Sequence, residues 1–169
     1  MKPLIIPALL IALFAAAQSA HAGGGYDLQC LLENGEQMTL SHASDTVYIS
    51  FEKPSGDTEE GGSVIKLDIP SGEAKQTVIA KSEAGTASFT LRGESDDIEG
   101  AVAVNDSEYD GTGDAYYTTM NSQGQETSTV SCKPGTINVS RSLLQNGING
   151  VAAFPAGTGT AGLLLFRNL

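Results

Sequence analysis

Short runs in which apolar and polar residues alternate recur through the middle of this 169-residue chain. In residues 45–52, DTVYISFE, Val47, Ile49 and Phe51 fall on one side of an extended backbone, with Thr46, Tyr48 and Ser50 on the other. Residues 63–69, SVIKLDI, set Ile65, Leu67 and Ile69 against Lys66 and Asp68. Residues 86–92, TASFTLR, align Ala87, Phe89 and Leu91, and residues 101–105, AVAVN, align Val102 and Val104. Successive side chains of a strand point to opposite faces, so a period of two over such lengths is the pattern of a half-buried β-strand. Residues 126–132 and 136–140 add β-branched runs that favour the same backbone.

Turn chemistry separates these runs: Asn34-Gly35, Ser55-Gly56, Ser71-Gly72, residues 93–97 and residues 121–124. Residues 116–132, YYTTMNSQGQETSTVSC, read as a hairpin with Asn121, Ser122, Gln123 and Gly124 as its loop. No amphipathic helix of useful length interrupts the series. Many short strands at close intervals predict an all-β domain, a single antiparallel β-sandwich or β-barrel.

The first 22 residues have the three parts of a secretory signal: Lys2, the apolar run 4–17, and the small-x-small pattern Ala20-His21-Ala22. The apolar run falls short of the ~20 residues a spanning helix needs. The sequence therefore predicts a removable leader over 1–22, a β-rich acidic domain over 23–140, and a Gly/Ala/Leu-rich segment over 141–169. That last segment reads as terminal strands packed on the domain, with one helical turn over 142–146; the other reading is an apolar tail that docks on a partner. The expected address is the periplasm or the medium, with no membrane span once the leader is gone.

Cys30 and Cys132 are the only two cysteines. In an oxidising compartment they are expected to pair, closing a loop of about 100 residues that is worth ~4–5 kcal/mol in the chain-entropy model. A redox role is disfavoured by their spacing, which is far from Cys-x-x-Cys.

Charge narrows the partners. Removing the leader leaves eight Lys and Arg against all twenty Asp and Glu, a net charge of −12. Such a chain repels nucleic acid and anionic lipid and attracts cations or a cationic protein. Catalytic chemistry is sparse. His42, in LSHASD, is the one histidine beyond the leader and reads as a surface residue, with Asp45 its formal sequence neighbour for a triad. Paired cysteines leave no thiol nucleophile and no His/Cys set for zinc. The acids of residues 55–62 and 93–100 lie in turn-like stretches, and the chain has no Trp to stack sugars. A carboxylate-based hydrolase is thus a minor reading. A surface-assembly component is another, and a non-catalytic binding protein of the envelope, an immunity protein included, is the leading one.

Residues 104–117, VNDSEYDGTGDAYY, concentrate the candidate site. Counted from Asp106, oxygen ligands fall at positions 1 (Asp106), 3 (Glu108), 5 (Asp110) and 9 (Asp114), with Gly111 at 6 and the Thr112 carbonyl at 7. An EF-hand-type loop wraps calcium in this way, alternate side chains turning inward and the glycine permitting the sharp bend. Two departures stand out: Glu at position 3, and Tyr117 where the bidentate Glu belongs. Calcium is the single cofactor the sequence suggests.

The same stretch holds Thr112-Gly113-Asp114-Ala115-Tyr116, which resembles the Ser-Gly-x-x-Tyr signature of periplasmic lysozyme inhibitors, with Thr in the Ser place. The resemblance covers five residues. It implies a small exported disulfide-bearing β-barrel that inserts a loop into the cleft of a cationic lysozyme. Thr112, Gly113 and Tyr116 would then be the inserting residues, with Asp110 and Asp114 beside them as acidic contacts. The chain beyond residue 22 is longer than that family leads one to expect, and its apolar tail has no counterpart there.

Overall fold

The structure, a computed structural model, describes residues 25–53, 62–80, 86–95, 98–107 and 113–154. Two sheets pack around one core. The first runs β1 (Leu28–Leu31), β2 (Gln37–Ala43), β3 (Thr46–Glu52) and β4 (Ser63–Asp68) in sequence order, with β10 (Asn138–Val139) on the far side of β1. The second runs β5 (Ala74–Ile79), β6 (Thr86–Ser95), β7 (Ile98–Ser107), β8 (Asp114–Met120) and β9 (Glu126–Ser131), with β11 (Ala152–Ala153) parallel to β5. The consecutive strands β1–β4 and β5–β9 thus form two antiparallel meanders, as tight connections dictate, while β11 makes the second sheet mixed.

The alternation sets which face is buried. Val47, Ile49 and Phe51 of β3 meet Met38 and Leu40 of β2, Leu28 and Cys30 of β1, and Phe89, Leu91 and Val102 of the opposing sheet in one cluster. Phe89 and Leu91 are fully enclosed. Among the described residues, the backbones of the two sheets are hydrogen-bonded to each other at one seam. Glu33 N–H donates to the Ser131 carbonyl at 2.9 Å and Lys133 N–H to the Leu31 carbonyl at 2.7 Å, so the end of β1 is laddered to the end of β9. The Cys30–Cys132 disulfide lies at this seam, with Cα atoms 5.8 Å apart. The expected pairing is present, and it ties the first strand to the last long one.

Several expectations need correction. Residues 93–95 are strand, not turn: β6 continues to Ser95, opposite Ile98 of β7. Gly93 is kept small by the Leu67 side chain packed on it. Ile69 has left β4 and begins the turn to β5, where the Gly72 N–H donates to the Ile69 carbonyl and Pro70 presets the bend. The β-branched run 136–140 contributes only two ladder residues, Asn138 and Val139. The hairpin β8–β9 has its expected loop, closed by Asn121 side-chain bonds to the Gln123 and Gln125 N–H groups.

The helix α1 (Arg141–Asn146) extends the anticipated turn by one residue. Ser140 caps it, its hydroxyl accepting from the Leu143 N–H at 3.2 Å. Leu143 and Leu144 are buried, and Ile148 and Val151 follow them into the main cluster. Ala152 and Ala153, in GVAAF, lie beside Lys75 and Gln76 of β5. GLLLF, residues 162–166, lies outside the described residues.

Candidate functional site

The stretch singled out by its acids is the connection between β7 and β8. Its base is an antiparallel ladder in which Val104 faces Ala115 and Asn105 faces Asp114. Asp106 is itself a strand residue, opposite Ala87 of β6. Glu108, Asp110 and Thr112 lie outside the described residues. Gly113 leads into the strand, and Asp114, its first residue, is exposed. The far side of β8 is held just as firmly. Cys132 N–H donates to the Ala115 carbonyl at 2.8 Å, so the disulfide anchors the residue directly after Asp114.

Tyr116 and Tyr117 take opposite faces, as neighbours on a strand must. Tyr116 turns away from the main core and packs against a small second cluster of Ala101 and Met120. It stands two residues into the strand, on the outer face of the six-stranded sheet, where the lysozyme-inhibitor resemblance makes it a loop residue. Tyr117 points inward, with its ring edge-on to Phe51 at a centroid distance of 4.8 Å. Its hydroxyl occupies space left by Gly100, where a Cβ would come within 2.8 Å of it. Burial pushes the Tyr117 phenol above its ordinary range, because the phenolate would lose its hydration.

A polar pair that sequence reading overlooked lies on the other sheet. His42 Nδ1 is 2.6 Å from Asp27 Oδ2, so the histidine's partner is Asp27 and not Asp45. The His42 ring is 40% exposed while the Asp27 side chain is only 12% exposed. Asp27 is fixed by its backbone as well, donating to the Leu40 carbonyl and accepting from the Ser140 N–H. β1 and β2 pair with Leu28 opposite Leu40, and this register, which no local sequence pattern announces, draws Asp27 towards the end of β2. Among the described residues, no hydroxyl hydrogen-bonds to the His42 ring, and no three His, Cys, Asp or Glu side chains are grouped to hold a metal ion.

The described part of the site is therefore a rigid acidic strand entry flanked by a half-buried tyrosine. It can present charge and one aromatic ring to a large partner at little ordering cost. No family model, no curated protein and no solved structure matches the chain.

Proposed function

We propose that the protein is an exported, non-catalytic binding protein of the cell envelope that recognises a cationic protein through the β7–β8 end of its six-stranded sheet. The observation that carries this reading is the bracing of Asp114. Its strand is laddered to β7 on one side and bonded to the disulfide residue Cys132 on the other. A surface already fixed in place loses little conformational freedom on binding. The charge of −12 beyond the leader supplies the steering towards a basic partner. The non-catalytic part rests on His42, whose ring meets Asp27 but no hydroxyl among the described residues, and on cysteines joined to each other.

The five-residue likeness to lysozyme inhibitors supports a cationic glycan hydrolase as the partner class. Residues 23–169 should then bind a c-, g- or i-type lysozyme saturably and inhibit it at micromolar protein. Asp114→Lys should weaken binding by roughly tenfold, equivalent to about 1.4 kcal/mol, whereas Glu52→Lys on the five-stranded sheet should leave it nearly unchanged. Equal effects of the two reversals would remove the β7–β8 end from the reading. Running the titration in calcium and in chelator tests whether Asp106, Glu108, Asp110, Thr112 and Asp114 hold an ion: dependence on calcium supports that loop, and identical curves and melting temperatures dismiss it.

A further inference from the structure

The sequence contains three Asn-Gly pairs, at residues 34–35, 146–147 and 149–150. Asn-Gly is the dipeptide in which the following backbone nitrogen is least shielded, since glycine has no side chain to block its approach to the Asn amide carbon. Sequence alone ranks the three alike. Their surroundings do not.

Asn34 is held on both ends of its amide. Its Nδ2 donates to Glu36 Oε2 at 2.8 Å and its Oδ1 accepts from the Glu36 N–H at 3.0 Å. The nitrogen that would attack, Gly35 N, is itself donating to the Leu32 carbonyl at 2.9 Å. At Asn146 the attacking nitrogen is likewise engaged: Gly147 N–H closes α1 on the Leu143 carbonyl at 2.9 Å, and the Gly147 backbone is crowded by Gln76 and Val78. Asn149 differs in each respect. It is exposed, and among the described residues no group bonds to its amide and none accepts from the Gly150 N–H.

We propose that Asn149 is a site of spontaneous covalent modification, converting to aspartate and isoaspartate in the folded protein. Hydroxide removes the Gly150 N–H proton, and the nitrogen attacks Cγ of Asn149. The new C–N bond forms as the Cγ–Nδ2 bond breaks, and the leaving nitrogen takes a proton from water and departs as ammonia, which restores the hydroxide. Water then opens the five-membered imide at either carbonyl, and no oxidant or reductant takes part. Opening at the backbone carbonyl places one extra methylene in the main chain between residues 149 and 150.

That change falls inside a loop closed by one side chain. Gln76 Oε1 accepts from the Ile148 N–H at 2.8 Å, while Gln76 Nε2 donates to the Ile148 and Val151 carbonyls at 2.8 and 3.1 Å. A longer backbone between residues 148 and 151 does not fit all three bonds at once. Modification thus loosens the attachment of α1 and β11 to β5.

The test is peptide mapping by mass spectrometry of the folded protein aged at mildly alkaline pH, beside the reduced chain in denaturant. Fragment ions distinguish Asn149 from Asn146, which shares its peptide, and in the folded protein Asn149 should gain one mass unit and an isoaspartate form several-fold sooner than Asn34 and Asn146. In the unfolded chain the rates at the three asparagines should converge. Hydrogen exchange at Val151 and Phe154 should quicken in the aged protein, and not in an aged Asn149→Gln variant. Conversion led by Asn34 or Asn146, the same ordering in the unfolded chain, or unchanged exchange after modification would each overturn the proposal.

Discussion

Gln76 occupies an inward position on β5, where alternation would place an aliphatic side chain, and it is buried. Its amide instead answers three backbone groups of residues 148 and 151, while its own carbonyl accepts from the Phe154 N–H at 2.7 Å. Gln76→Leu keeps the volume but strands those groups, so we expect a loss of about 1–3 kcal/mol for the Ile148 N–H alone, read as a lower urea midpoint. Gly100 offers a second single-residue case. A methyl there meets the Tyr117 hydroxyl, whose ring is wedged against Phe51. Gly100→Ala should cost about 1–3 kcal/mol through overpacking. Tyr117 also sets a pH response. Its folded-state pKa is raised by burial, so the native state keeps this proton at a pH where the unfolded chain has lost it. Its contribution to stability is whole below the unfolded value of about 10 and is lost as pH rises from there through the folded value. Tyr117→Phe should flatten that alkaline decline in a series of melting curves.

At the level of elements, α1 is the piece that makes residues 141–154 part of the domain. Leu143 and Leu144 enter the core from one short helix, followed by Ile148 and Val151. Leu143→Ala should therefore cost about 2–5 kcal/mol, a core-sized loss from a segment that by composition could pass for a tail. The strands legible beforehand were those in which aliphatic residues alternate without a break, β3 and the central part of β6 above all. β5 was not legible, because Gln76 interrupts its inward face and its partner groups lie 72 residues or more further on. β1 and β2 were missed for different reasons: Leu28–Leu31 is too short to show a period, and in Gln37–Ala43 the alternation of Met38 and Leu40 is broken by the polar His42. Of the candidate site, the strand entry at Asp114 and the pairing of Cys30 with Cys132 were readable from local chemistry. The outward turn of Tyr116 onto Ala101 and Met120, and the bond from Asp27 to His42, depend on register between strands, which no local pattern encodes.

For the molecule as a whole, the disulfide joins the ends of two strands, β1 and β9, that meet at one seam, and it also stiffens the start of β8. Replacing both cysteines by serine should cost about 2–5 kcal/mol and should lower the melting temperature more than any single core substitution named above that costs less. If the proposed function holds, the same double variant should bind a cationic partner more weakly than its residual folded fraction explains, because Ala115 loses part of its anchor. The field of the acidic chain acts over the entire surface and should make association faster at low salt. Calorimetric titration of residues 23–169 with c-, g- and i-type lysozymes, at low and moderate salt, bears most directly on the proposed function. Saturable binding to at least one of them, weakened by salt and by Asp114→Lys but not by Glu52→Lys, is the expected result. Absence of heat with all three at micromolar protein, from a sample shown to be folded and disulfide-bonded, would contradict it.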